Sequence, residues 1–124
     1  MSSPAKPSIL VVEDDPALKR LVRRRAEREG LAVVDAATCA DALATAIAAQ
    51  PSVILIDMHL PDGTGVVLLG KLRADPRTRD IPVLVWSASD PERELDAVAA
   101  GAAGYFEKSD VKGVVRKLVE LLQG

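Results

Sequence analysis

Five side chains stand where their types and spacing could do chemistry: Glu13, Asp14, Asp57, Ser87 and Lys108. Each lies at the end of a run that reads as a strand. Ile9-Leu10-Val11-Val12 leads into Glu13-Asp14, Val53-Ile54-Leu55-Ile56 into Asp57, Val83-Leu84-Val85-Trp86 into Ser87, and Tyr105-Phe106-Glu107 into Lys108. Three carboxylates brought together repel, and such a like-charge cluster raises the affinity for a hard divalent cation. Oxygen ligands with several waters suit Mg²⁺, which keeps part of its hydration shell and bridges to phosphate. A lysine and a hydroxyl opposite the metal would complete a site for a phosphoryl group. Lys108 and the metal would neutralise its oxygens while Asp57 attacks phosphorus and forms an acyl phosphate.

For these groups to meet, the runs that carry them must be neighbouring strands. Val53 to Ile56 has no polar alternation, which reads as a strand buried on both faces, as in parallel sheets. Asp57 then sits at the carboxyl end of a central strand, where ligands bind in open α/β sheets. The first strand, Ile9 to Val12, is followed by a helix from Pro16 to Glu29, with Asp15 as N-cap and proline at the first helical position. Leu18, Leu21, Val22 and Ala26 form its inward stripe, and Gly30 stops it. A weaker strand spans Leu31 to Ala36. Thr38 with Asp41 reads as a capping box for a second helix through Ala49, anchored by Leu43 and Ile47 and closed by Gln50-Pro51.

The Pro61-Asp62-Gly63 turn separates the central strand from a third helix at about Thr64 to Arg73, with Val66, Leu69 and Leu72 or Val67 and Leu68 inward. A polar loop, residues 74–80, leads to a fourth strand at Ile81 to Trp86. Asp90-Pro91-Glu92 starts a fourth helix that ends at Gly101. Ala103 to Glu107 is the fifth strand. Asp110 caps a fifth helix with a broad apolar face, in which Gly113 costs up to ~1 kcal/mol relative to alanine. Five strands alternating with five helices predict an α/β fold with right-handed crossovers and helices on both faces of a parallel sheet.

Composition narrows the class further. The chain of 124 residues has a formal net charge of -2, one cysteine and one each of Trp, Tyr and Phe. That length supports one domain. Residues 1–7 read as a flexible tail and residues 8–124 as the domain. The near-neutral charge does not advertise a nucleic-acid partner. A single cysteine permits no internal disulfide and fits a reducing compartment. No apolar run approaches the ~18 residues of a membrane span, and the start lacks a signal peptide's apolar segment. A cytoplasmic protein without membrane contact is expected.

With these residues in view, the sequence resembles the response-regulator receiver domain, the phosphoacceptor of bacterial two-component systems, over about residues 8 to 123. The stretches that carry the resemblance are Ile9 to Pro16, Leu55 to Gly63, Val83 to Ala88 and Gly101 to Lys108. The resemblance implies a flavodoxin-like (βα)5 doubly wound parallel sheet of strand order 2-1-3-4-5. It makes Asp57 the phosphoacceptor. Asp14 and Asp57 would bind Mg²⁺ directly, Glu13 through water, and His59 by its backbone carbonyl. Ser87 would hydrogen-bond the phosphoryl group and Lys108 would pair with it. Tyr105 matches the aromatic that moves inward when the hydroxyl residue does, so Ser87 and Tyr105 form the switch. The face of the fourth helix, fifth strand and fifth helix would then change for a partner. One residue departs from the family pattern. Ser109 follows Lys108 where proline in a cis peptide is usual, and a cis bond before a non-proline residue costs ~3 kcal/mol. A trans peptide and a less firmly placed Lys108 are therefore expected.

The leading expectation is a stand-alone receiver with no output domain of its own, a phosphoacceptor rather than an enzyme. It would take phosphoryl from a histidine kinase or a histidine phosphotransfer protein and act on a downstream protein target. A receiver-fold binding module with vestigial phosphorylation is the alternative, motivated by Ser109. An aspartate-nucleophile phosphohydrolase would carry a second carboxylate at position 59, where this chain has His59. The His59 side chain reads as a solvent-facing loop group that could modulate water access to the site. Trp86 and Phe106 read as packing, and Cys39 as an inert, partly buried thiol. Lys19, Arg20, Arg23, Arg24, Arg25 and Arg28 give the first helix a basic face, either solvated or docked on an acidic strip of a kinase. Direct DNA binding is not expected, because no recognition helix is left over. The sequence leaves open a homodimer through the fourth helix, fifth strand and fifth helix, or through the first and fifth helices.

Overall fold

Every predicted apolar run forms a strand of one parallel sheet in the computed structural model, which describes residues 7–88 and 92–123. The elements are β1 (Ser8–Val12), α1 (Pro16–Arg28), β2 (Ala32–Ala36), α2 (Cys39–Ala49), β3 (Val53–Asp57), β4 (His59–Leu60), β5 (Gly63–Thr64), α3 (Gly65–Ala74), β6 (Val83–Ser87), α4 (Glu92–Ala99), β7 (Gly104–Glu107) and α5 (Val111–Gln123). The sheet order is β2-β1-β3-β6-β7, all parallel. Counting only the sheet's own strands, that is the predicted 2-1-3-4-5. The proposed flexible tail falls mainly on residues 1–6, and the Asp90-Pro91 helix start on 90–91; both lie outside the described residues.

Pleating divides the core in two. Leu10, Val12, Ile54, Ile56, Val83 and Val85 face one cluster with α2, α3 and Ala97 of α4. Ile9, Val11, Val53, Leu55, Leu84 and Trp86 face the other, with α1 and α5. Successive side chains of a strand point to opposite faces, so a strand covered on both sides is apolar throughout. Tyr105 packs against the first cluster and Phe106 against the second.

The helix signals hold at their ends. The Asp15 carboxylate accepts hydrogen bonds from the amides of Ala17 and Leu18. At the other end of α1, Gly30 N–H donates to the Glu27 carbonyl and Leu31 N–H to the Ala26 carbonyl, with Gly30 at φ 80°. That is a Schellman stop, and its left-handed residue favours glycine. Thr38 caps α2 through the Asp41 amide, Thr64 caps α3 through the Val67 amide, and Asp110 caps α5 through the Gly113 amide.

Three burial expectations need correction. Leu21 is 38 % exposed, so the α1 stripe is centred on Val22 and Ala26. In α2 the fully enclosed residues are Ala42 and Ala46, while Leu43 and Ile47 are only half-buried. Small side chains there let the helix approach the sheet, and the larger ones flank the contact. In α3 the two alternative stripes merge: Leu68, Leu69 and Leu72 are buried, Val66 is half-buried and Val67 is exposed. The β4–β5 ribbon is an addition. Residues flanking and closing the predicted turn pair antiparallel, His59 opposite Thr64 and Leu60 opposite Gly63, so Thr64 lies in a strand rather than in the helix it was expected to open.

Candidate functional site

Strand register brings the reactive groups to one edge. Val12 pairs with Ile56, Asp57 with Trp86, and Ser87 with Glu107, so four strands end at nearly the same level. Beyond those ends, Glu13, Asp14 and Asp57 each place a carboxylate oxygen within 4.8 Å of the others. Glu13 is 0 % and Asp57 3 % exposed, whereas Asp14 is open to solvent.

Lys108 reaches into this group from the end of β7. Its Nζ lies 2.8 Å from Asp57 Oδ2 and 2.8 Å from Glu13 Oε1, with the side chain 23 % exposed. The contact with Asp57 is an aligned hydrogen bond. Glu13 Oε1 is buried without an aligned donor, so its contact with Lys108 is an ion pair. Glu13 Oε2 accepts from the Asp15 amide at 3.0 Å. Burial is the main cause that raises the Glu13 pKa above the ordinary carboxyl value. Lys108 and the Asp15 amide oppose the rise, and the Asp57 charge adds to it. Burial works against the Lys108 ammonium, but the close contacts and charges of Asp57 and Glu13 outweigh it and raise its pKa.

The backbone fixes each of these side chains. No cis peptide occurs among the described residues. The trans turn after β7 is closed by Asp110 N–H donating to the Glu107 carbonyl at 2.9 Å, and Lys108 N–H donates to the Ser87 carbonyl at 2.8 Å. The peptide before Ser109 is trans, as expected, and Lys108 Nζ reaches both Asp57 and Glu13 from this turn. Asp57 Oδ1 accepts from the His59 amide at 3.1 Å. Met58 donates to the Trp86 carbonyl at 2.9 Å and accepts from the Gly65 amide at 2.8 Å. His59 opens β4 with its side chain exposed. Ser87 is buried at the end of β6, and Tyr105, half-buried, pairs with Val85 on the adjoining strand. Ser87 lies two positions beyond Val85, so Tyr105 and Ser87 point to the same face.

Two supporting residues escaped sequence reasoning. A Cβ on Gly65 would lie 2.7 Å from the Asp57 carbonyl oxygen and 3.1 Å from Met58 Cα. Only glycine lets the start of α3 sit against the strand end that carries Asp57. Its sequence signal is a glycine directly after the Thr64 cap. Asp62, read as turn chemistry, also accepts from the amides of Cys39 (2.7 Å) and Ala40 (3.2 Å) at the start of α2. The Cys39 hydrogen bond leads the causes that lower the Asp62 pKa. Cys39 itself is buried, and burial, then the Asp62 charge, raises its thiol pKa.

Three oxygen-bearing side chains, two of them buried and one solvent-facing, fit a hard, partly hydrated divalent cation. The buried Glu13 oxygen without an aligned donor is consistent with such an ion. Lys108 supplies a positive charge beside the same oxygens.

The model of the response regulator receiver domain matches residues 9–120. Among curated relatives, the DNA-binding dual master transcriptional regulator RpaA of Synechocystis is 34 % identical over 119 residues, 94 % of this chain and 49 % of that protein. The chain thus spans about half the length of the curated relatives it matches. A two-component response regulator of the LuxR family from Aurantimonas superposes with TM-score 0.86 at 28 % identity, covering 97 % of this chain and 87 % of that one. The phosphorylated cyanobacterial phytochrome response regulator RcpA superposes with TM-score 0.78 at 25 % identity, covering 94 % and 93 %.

Proposed function

The chain belongs to the response-regulator receiver family, and from that premise we propose that Asp57 accepts a phosphoryl group from a phosphohistidine. In the step, an Asp57 carboxylate oxygen bonds to phosphorus as the P–N bond breaks. The donor imidazole leaves, and an aspartyl phosphate remains. Glu13, Asp14, Asp57 and the His59 carbonyl would hold Mg²⁺, which supplies charge neutralisation at the phosphoryl oxygens when bound. The chain is then a phosphoacceptor and not a turnover enzyme.

The observation that carries this reading is the 2.8 Å pairing of Lys108 with both Asp57 and Glu13 beside Asp14. A lysine so placed is ready to exchange a carboxylate partner for a phosphoryl oxygen at little cost in reorganisation. The same pairing, made with Ser109 after Lys108, supports a working site over the alternative of a vestigial one.

Ser87 and Tyr105 supply the output. Ser87 bonds the phosphoryl group, and Tyr105, on the same face, follows into the space released. The α4–β7–α5 surface changes with it. A histidine kinase or a histidine phosphotransfer protein docks at the Asp57 mouth, and a downstream protein reads the altered face. Beryllofluoride with Mg²⁺ imitates the aspartyl phosphate and tests this directly. The amide spectrum should shift at Ser87, Tyr105 and α4 only when both are present. A response retained in Asp57→Asn would remove Asp57 from its assigned role.

A further inference from the structure

Two surface features are left unused by the phosphoryl site. The first is a groove of about 470 Å³ between α1 and α5, floored by Val115 and Val119 and rimmed by Arg25, Arg28, Lys112 and Arg116. Among the described residues, no carboxylate makes an ion pair with any of these four cations. Glu29 and Glu120 also border the groove, so four positive charges face two negative ones and a net +2 remains. Glu120 is already engaged by Lys117 at 3.3 Å. Four cations over an apolar floor repel one another and call for an anionic occupant.

The second feature is the outer face of α4. Leu95 is 78 % and Val98 55 % exposed, one turn apart. They are two of the four exposed large hydrophobics among the described residues. Glu94 and Asp96 flank them. Asp96 is shared with Arg93 at 3.5 Å, while no ion pair engages Glu94 among the described residues. An apolar pair edged by acid is the surface that a valine floor edged by arginines would take.

We propose that α4 of one copy seats in the α1–α5 groove of the next, so that the protein self-associates head to tail. Charge selects this arrangement over symmetric pairing. A groove facing its own copy would set a net +2 against a net +2, and an α4 face doing so would oppose Glu94 and Asp96 with their equals. The two patches lie on opposite faces of the sheet, since Ala97 of α4 packs in one core cluster and α1 and α5 in the other. They cannot meet within one molecule. A contact between unlike patches repeats, giving a ring if the rotation closes and a short filament if it does not. The contact uses the conformation described above and needs neither metal nor phosphate.

Sedimentation velocity of the unmodified protein without Mg²⁺ tests this. The average mass should rise with protein concentration and fall with added salt. Leu95→Lys removes one patch, and Arg25→Glu with Arg116→Glu removes the other. All three positions are at the surface, and circular dichroism checks that each variant is folded. Each variant alone should be monomeric. An equimolar mixture should associate again, because each variant keeps the patch that the other has lost. Swapping charges in one chain, Glu94→Arg with Arg116→Glu, should restore assembly that Arg116→Glu alone loses. Wild type that stays monomeric at every concentration overturns the proposal, as does a single-patch variant that still dimerises or a mixture that does not.

Discussion

Replacing Lys108 by alanine leaves Glu13 and Asp57, 0 % and 3 % exposed, without their cation. At an effective dielectric of about 20, each 2.8 Å contact is worth about 6 kcal/mol of attraction. Desolvation of the three groups offsets most of it. Removing one partner of a buried pair typically costs about 3–5 kcal/mol, and the partial exposure of Lys108 places the loss lower, at about 2–4 kcal/mol. Proton uptake by Glu13 limits the damage, since each pKa unit is about 1.4 kcal/mol. In a chain of this size the loss lowers the melting temperature by about 10 °C. Mg²⁺ should return most of it, because the ion replaces the missing charge and binds only the folded state. The Lys108 pKa is raised on folding, so its contribution is full below the unfolded lysine value and fades as pH rises through the folded one. Scanning calorimetry of wild type and Lys108→Ala, with and without saturating MgCl₂ at neutral pH, measures all of this. A variant as stable as wild type, or one that Mg²⁺ does not rescue more than wild type, would refute the electrostatic account.

Three further outcomes are expected. Gly65→Ala forces a Cβ to within 2.7 Å of the Asp57 carbonyl oxygen. It should destabilise by about 1–3 kcal/mol and weaken the Mg²⁺-dependent stabilisation in the same calorimetric scan. Arg73 donates to the carbonyls of Arg79 (2.9 Å), Ile81 (2.8 Å) and Gly101 (3.2 Å), tying the end of α3 to the approach to β6 and to the end of α4. Arg73→Ala should lose about 2 kcal/mol in urea unfolding and speed hydrogen exchange in those segments. Asp75 is held at about 2 against an ordinary 3.8, mainly by its Arg77 hydrogen bond. Its pKa is depressed, so its contribution is present above about pH 4 and lost as pH falls toward 2. Asp75→Asn should flatten the acid limb of the stability curve, and added salt should shrink the difference, because the pair is exposed.

How much of this was legible in the sequence depends on the range of the interaction. Strands whose runs are apolar on both faces, and helices announced by Asp15, Thr38, Gly30 and Asp110, were readable because their signals are local. The acid–lysine site was readable because strand ends in an α/β sheet share an edge, so Glu13, Asp14, Asp57 and Lys108 needed only correct strands to converge. Contacts set by distant backbone were not readable. Asp62 has an ordinary turn setting in sequence, and only the fold brings it to the amides of Cys39 and Ala40. Gly65 looks like a poor helix starter until the Asp57 carbonyl is placed against it. By propensity alone Gly113 is a cost to α5, yet a side chain there would run into the Asp110 carboxylate that caps the helix. Leu21 fits the apolar period of α1 but lies at the margin of the face that meets the sheet. The β4–β5 ribbon is too short for a two-residue periodicity to register.

The account rests on Asp57 as the residue that takes phosphorus. Intact-mass and peptide mass spectrometry after incubation with acetyl phosphate and Mg²⁺ tests it most directly. Wild type should gain one phosphoryl group, located on Asp57, with the yield abolished by chelation of Mg²⁺ and by Asp57→Asn. An adduct on Asp57→Asn equal to that on wild type, or no adduct on a folded wild-type protein under any donor, would contradict it.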